Sequence, residues 1–196
     1  MSLKKYPAFL NLENRNVLII GAGNACLEKL FGLDGTGAKI HVISLFAKKE
    51  VQEYLEAHSE ILYEERIVKE SDFLNRDLIF LATSDSKTNL EFKKIAKKNG
   101  VWINAVDDPK TCDFYSASLI NLGPVQFSIS TDGKFAGISS TLRKLFEEIL
   151  PEENNDLFET IYSMRNKLKT ILPNTAERRA ALKEIISDID KKYFHK

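Results

Sequence analysis

Apolar positions in this chain gather into short runs separated by longer stretches with helical spacing. Val17, Leu18, Ile19 and Ile20 form an unbroken apolar run that stops at Gly21-Ala22-Gly23. A run without alternation is the pattern of a parallel strand covered on both faces. Beyond it, Ala25, Leu27, Leu30, Phe31 and Leu33 recur at helical spacing, so the stretch reads strand, glycine turn, helix. Lys39 to Ile43 predicts a second strand ending at Ser44, and residues 48–59 a polar helix with Val51, Tyr54 and Leu55 on one face. Ile61-Leu62-Tyr63 predicts a third strand and Asp77 to Thr83 a strong fourth, followed by a helix cap at Thr83-Ser84-Asp85. The next helix carries Leu90, Phe92, Ile95 and Ala96 and ends at Gly100. Val101 to Asn104 predicts strand five. Strict alternation of strand and helix implies right-handed crossovers and a parallel sheet. The apolar Tyr6-Pro-Ala-Phe-Leu10 is expected to pack against that sheet.

After Pro109 the pattern changes. Ser118-Leu119-Ile120 and Val125 to Ser130, separated by Asn121-Leu122-Gly123-Pro124, read as a hairpin whose second arm has one buried and one wet face. A helix from about Ser139 carries Leu142, Leu145, Phe146 and Ile149. Pro151 and an acidic stretch to Asp156 form a linker before two amphipathic helices, about Leu157 to Ile171 and Thr175 to Tyr193. There is no internal repeat.

Composition narrows the function class. The 196 residues are 43% hydrophobic, enough for a proper core. The 28 basic and 28 acidic residues cancel, which argues against nucleic acid as the main partner. Two cysteines, Cys26 and Cys112, make no disulfide framework and fit a reduced, cytoplasmic setting. The N-terminus lacks the apolar core of a signal peptide. No apolar run approaches the roughly 18 residues of a membrane span.

The chemistry concentrates at strand ends, where ligands of open parallel sheets bind. Gly21 permits the turn, and Gly23 offers no Cβ to block a pyrophosphate approaching the helix N-terminus. The third fingerprint position is Cys26, small enough to let the helix lie close to the sheet. A dinucleotide cradle and a structural turn both fit these residues. Ser44 stands where an acidic ribose-binding residue is common, and no arginine stands there for a 2′-phosphate, which favours NAD. Thr83 to Asp85 and Asn104 to Asp108 would meet the glycine turn at one edge. Asp107 and Asp108 before Pro109 suit either a turn or a carboxylate placed to accept a proton. The histidines His41, His58 and His195 are scattered, and no group has metal-ligand spacing. Arg143, Lys144, Arg165, Lys167, Lys169, Arg178 and Arg179 are either solvated helix faces or a positive rim for a polyanion.

Together these pieces resemble the precorrin-2 dehydrogenase/sirohydrochlorin ferrochelatase family, the N-terminal module of siroheme synthase. The likeness rests on Tyr6-Pro-Ala-Phe-Leu10 and on VLIIGAGNACLEK at 17–29. LATSDSKTN at 81–89 resembles the family's AATDDxxxN, and NAVDDPKTCDF at 104–114 its NVVDDPxxCDF. LGPVQFSIST at 122–131, Arg143 in the following helix and ERR at 177–179 complete it. NAVDDP followed by CDF is the most specific piece, since an ordinary dinucleotide fold has no reason to carry it.

The resemblance implies an α/β fold: an NAD-binding Rossmann domain with a parallel sheet over residues 1–113, a β-hairpin dimerisation region over 114–150 and a small C-terminal helical domain over 151–196. It implies a homodimer and NAD-dependent oxidation of the tetrapyrrole precorrin-2 to sirohydrochlorin. A bifunctional enzyme that also takes Fe²⁺ as a chelation substrate, and a non-catalytic dinucleotide- or tetrapyrrole-binding protein, are the alternatives. The family's essential aspartate falls on Asp107. Its cofactor contacts fall on Asn24 and Ala25 beside Gly21 and Gly23, on Leu45 and Phe46, and on Thr83, Asn104 and Val106. Substrate contacts fall on Thr131 and Arg143. The loop Ser130 to Ala136 departs from the family's STGGxSP: Asp132 replaces a glycine, which adds a negative charge on the side of a polycarboxylate substrate.

Overall fold

The computed structural model describes residues 5–83, 85–106, 112–122, 125–131, 136–149, 163–164 and 166–193. Asp107, Asp108, Pro109, the hairpin tip at Gly123-Pro124, the substituted loop around Asp132, the acidic linker, Arg165 and His195 lie outside the described residues. The chain divides into two compact units, residues 1–116 with 132–134 and residues 117–131 with 135–196.

The first unit is a parallel sheet with helices on both faces. Its elements are β1 (Asn16–Ala22), α1 (Asn24–Leu33), β2 (Lys39–Ala47), α2 (Lys49–Ala57), β3 (Leu62–Glu65), β4 (Leu78–Leu81), α3 (Ser86–Lys98) and β5 (Trp102–Ala105). The five strands run in the order β3-β2-β1-β4-β5, all neighbours parallel. The order reverses between β1 and β4, so a crevice opens outside their carboxyl ends.

Pleating explains why the strands are apolar throughout. Val17, Ile19, Val42, Leu78 and Phe80 face one side and pack with Cys26, Leu30 and Leu33 of α1 and Val51 of α2. Leu18, Ile20, Ile43, Ile79, Leu81 and Ile103 face the other and pack with Phe73 and with Ala96 of α3. β1, β2 and β4 thus feed both cores, and a polar residue in the middle of β1 or β4 would be buried without a partner. Cys26 is fully buried, and desolvation pushes its thiol up to about 12, so it serves packing rather than reactivity.

Three expectations need correction. β2 does not end at Ser44; it continues through Leu45, Phe46 and Ala47, because an irregularity in the β1–β2 ladder lets Ala47 pair with Ala22. The segment from Tyr6 to Leu10 does not pack against the sheet. Tyr6 is 92% and Phe9 64% exposed, and it is the later Leu12 that reaches the core. The second hairpin arm is not cleanly half-buried, since Phe127 is 38% exposed.

The second unit contains the expected hairpin, β6 (Ser118–Leu122) paired antiparallel with β7 (Val125–Ile129), and α4 (Ala136–Ile149), which lies against it. Residues 166–171 are helical, and α5 spans Thr175–Tyr193. Asn174 caps α5 by accepting the Ala176 N–H at 2.8 Å. Among the described residues no helix is long and apolar enough to cross a membrane.

A charged cluster ties β2 and β3 to the turn before β4. Arg66 forks onto both carboxylate oxygens of Asp72 at 2.7 and 2.8 Å and donates to Glu64 at 2.6 Å. Buried His41 accepts from Arg76 Nη2 at Nδ1 (2.7 Å), and its Nε2 lies 2.8 Å from Glu64 Oε1, a close approach that misses hydrogen-bond geometry. Burial, then the Arg76 charge, lowers the His41 pKa below its usual value despite Glu64. A lowered folded pKa means the unfolded chain binds the proton more tightly. The His41 contribution to stability is therefore complete above the ordinary histidine value near about 6.5 and is lost as pH falls from there through the lowered folded value. The melting temperature should drop between pH 7.5 and 5.5, and His41→Gln should flatten that drop; an equal slope in both would locate the titrating group elsewhere.

Candidate functional site

The site is built where β1, β4 and β5 end. Gly21 has φ +101°, a conformation that side chains rarely adopt, and a Cβ there would lie 2.6 Å from the Ala82 carbonyl oxygen. The end of β1 and the end of β4 are therefore in direct contact, and only glycine lets them approach. Gly23 is the opposite case. Its backbone is extended, and a Cβ there would meet nothing within 4 Å. The space beside it is open, as a cradle for a bulky ligand requires.

Gly23 is also the N-cap of α1. It has no side chain to cap the helix, and the first turn carries no acidic residue. The leading N–H groups, with the positive end of the helix dipole, are left to an anion. Asn24 and Ala25 open that helix. Lys48 was missed in the sequence: its N–H donates to Ala22 O at 3.0 Å and its Nζ to Asn24 Oδ1 at 3.0 Å. Ending β2 at Ser44 had placed Lys48 on an ordinary polar helix. Leu45 and Phe46 are 63% and 69% exposed on the extension of β2, and the Ser44 hydroxyl donates to Phe46 O at 2.8 Å, bracing it.

Across the crevice, Thr83 follows β4. Its hydroxyl donates to Asn89 Oδ1 at 2.6 Å, and Asn89 Nδ2 donates back to Thr83 O at 3.2 Å. Asn89 is buried in the first part of α3 and locks the turn, with Asp85 capping the helix through Lys87 N. Asn89 closes the LATSDSKTN motif, so the signal was in the sequence without a role attached.

On β5, Asn104 is buried and spends its amide on Phe114 O at 2.8 Å. Val106 N donates to Leu81 O at 3.2 Å, holding the chain at the edge. The residues of the CDF motif return the chain to this strand. Cys112 Sγ lies 3.1 Å from Ala105 O, Asp113 bonds both the N–H and the carbonyl of Ile103, and the Phe114 ring packs on Phe80. Both ends of the stretch containing Asp107 are therefore anchored at the carboxyl edge of β5. In the second unit, Arg143 pairs with Glu147 at 3.0 Å along α4, and Thr131 follows β7. Among the described residues no group of three or more His, Cys, Asp and Glu could hold a metal ion.

An open glycine, an uncapped helix N-terminus and a nearby ammonium fit the pyrophosphate of a dinucleotide. Residues 8–118 match the family model described as "Putative NAD(P)-binding". The chain belongs to this NAD(P)-binding family. The siroheme synthase of Tolumonas auensis is 31% identical over 173 residues, 88% of this chain and 36% of that protein. That of Psychrobacter arcticus is 29% identical over 178 residues, 90% of this chain and 32% of that protein. The chain thus spans about a third of the length of the curated relatives it matches. The solved structure of SirC, precorrin-2 dehydrogenase, superposes with a TM-score of 0.79 at 25% identity, covering 94% of this chain and 91% of that one. The family resemblance carried by the sequence motifs, and the α/β architecture it implied, are borne out.

The two glycines of this turn should separate experimentally. Gly21→Ala forces an alanine to positive φ against Ala82 and should cost about 1–3 kcal/mol of stability or more. Gly23→Val should fold normally and weaken dinucleotide binding by roughly tenfold or more, about 1.4 kcal/mol. Calorimetric titration beside thermal melts checks both; unchanged affinity in folded Gly23→Val would make the turn purely structural.

Proposed function

We propose that this chain is an NAD-dependent precorrin-2 dehydrogenase that produces sirohydrochlorin. The observation that carries the proposal is the anchoring of Val106 and Cys112, which bracket Asp107 in sequence, at the carboxyl edge of β5, the same sheet edge as the open glycine turn, in a chain 94% of which superposes on a solved precorrin-2 dehydrogenase. Gly21, Gly23, Asn24 and Ala25 hold the pyrophosphate, Leu45 and Phe46 flank the adenosine, and Thr83, Asn104 and Val106 shape the far side of the crevice. The bound dinucleotide supplies the hydride acceptor. Asp107, next after Val106, takes the proton that leaves the macrocycle with the hydride, so the oxidation balances without a metal-bound step. Thr131 and Arg143 contact the polycarboxylate substrate.

Residues 114–150 form the dimerisation region. Support comes from an apolar surface uncovered in the single chain: Ile138, Leu142, Leu145 and Phe146 recur at helical spacing on α4, and Leu119 and Phe127 stand on the hairpin, all exposed. A second copy offers a self-complementary cover for such a face.

Two experiments test the reading. Asp107→Asn should leave folding and dinucleotide binding nearly intact and cut single-turnover oxidation of precorrin-2 by roughly 10²–10⁴-fold, with Asp108→Asn doing much less. Wild-type turnover in Asp107→Asn would remove the aspartate from catalysis. Light scattering at micromolar concentration should give a dimer, and Leu142→Glu with Phe146→Glu should shift it to monomer; a monomeric wild type would show that the α4 face has another role.

A further inference from the structure

At the amino edge of the sheet, where β1, β4 and β5 begin, the first unit has an open cleft of about 380 Å³. A volume of that order suits a small ligand. Part of its wall is apolar and uncovered: Leu10 is 46% and Trp102 54% exposed, and both line it. The charged groups of the lining are two guanidiniums and one carboxylate, Arg15, Arg76 and Asp77. Asp77 is neutralised, since one oxygen is paired with Arg15 at 3.0 Å and the other accepts the Asn16 N–H at 2.8 Å. Arg76 is the surplus charge. Its Nε donates to the Asp72 carbonyl at 2.9 Å and its Nη2 to His41 Nδ1 at 2.7 Å, two uncharged acceptors. Among the described residues no carboxylate is ion-paired with Arg76, and its Nη1 has no hydrogen-bond partner. The acidic groups that act on it from a distance, Asp72 and Glu64, are held by Arg66 at 2.7 and 2.6 Å. Burial makes the charge costly and pulls the Arg76 pKa below its usual value in spite of both carboxylates. A tie between the turn before β4 and β2 accounts for Nε and Nη2. It does not account for an unpaired guanidinium in the wall of an open cleft.

We propose that this cleft is a second ligand site, for a small carboxylate with an apolar or aromatic body. Arg76 receives the carboxylate, and Leu10 and Trp102 cover the body. A guanidinium already fixed through two of its nitrogens is preorganised, so little is lost in ordering it when the anion arrives. A charge-assisted bond to a half-buried guanidinium is stronger than one between neutral groups. The indole adds a broad flat apolar surface at low entropic cost. The cleft stands at the opposite ends of the strands from the dinucleotide crevice, so its occupation is independent of what that crevice binds.

Trp102 is the single tryptophan of the chain, so its fluorescence reports on the cleft directly. Phenylacetate, the neutral phenylacetamide and inorganic phosphate are titrated into wild type, Arg76→Gln and Leu10→Glu, with thermal melts showing which variants fold. Phenylacetate should shift the Trp102 emission of wild type saturably, with a dissociation constant of about millimolar or tighter. The amide, which lacks the charge, and phosphate, which lacks the apolar body, should each bind roughly tenfold or more weakly. Arg76→Gln should weaken phenylacetate by roughly tenfold or more and leave the amide unchanged. Leu10→Glu places a like charge at an exposed position of the wall and should weaken phenylacetate in the same direction. No saturable response to phenylacetate, or equal affinity for acid and amide, overturns the proposal. Phosphate binding as tightly as phenylacetate would make this a simple anion site and overturns it too. Unchanged phenylacetate affinity in folded Arg76→Gln, or in Leu10→Glu where Arg76→Gln fails to fold, does the same.

Discussion

The contact that the first unit depends on is the approach of Gly21 to the Ala82 carbonyl. It joins the ends of β1 and β4, the two strands between which the sheet order reverses. A side chain at Gly21 would push these ends apart and with them the glycine turn and the Thr83 turn that face each other across the crevice. Everything on that edge is referred to this contact: α1 leaves from one side with its N-terminus uncapped, and α3 leaves from the other, held by Asp85 and Asn89. Each flank of the crevice is the first turn of a helix packed on its own core.

The two cores give the edge its support. Val17 to Ile20 of β1 and all four residues of β4 alternate between the two cores, so the strands cannot slide by one position without burying the wrong side. The polar residues that do enter the interior are tied down. Asn104 and Asn89 bond the backbone of segments leading out of the sheet, and His41 sits in a charged cluster at its outer side. Their function is to fix where the chain goes next, and the most family-specific motif acts the same way. Cys112, Asp113 and Phe114 bring the chain back onto β5, to Ala105, Ile103 and the neighbouring Phe80.

Much of this was legible along the chain. The run from Val17 to Ile20 and its abrupt end at Gly21 identified the central strand and the turn, because a strand buried on both faces has no alternative to continuous apolar residues. The alternation of such runs with helical stretches was enough for a parallel sheet. Cys26, read as a small residue between helix and sheet, is fully buried there. The Tyr6 to Leu10 segment misled because apolar composition was taken for burial, whereas a short segment around Pro7 has no periodic element to hold it against the sheet.

What the sequence determined by itself is therefore local: which residues form strands, which glycines a turn needs, and which motifs belong together, since these follow from periodicity and backbone preference over a few residues. What only the tertiary structure decided is register and reach. The length of β2 depended on an irregularity in its ladder with β1, and with it the arrival of Lys48 at Asn24 from 24 positions away. The roles of Asn89 and Asn104 depended on which backbone carbonyl each meets in space. Side-chain pattern along a strand specifies which face a residue takes. It does not specify where the neighbouring strand stops, because that is settled by hydrogen bonds between segments far apart in the chain.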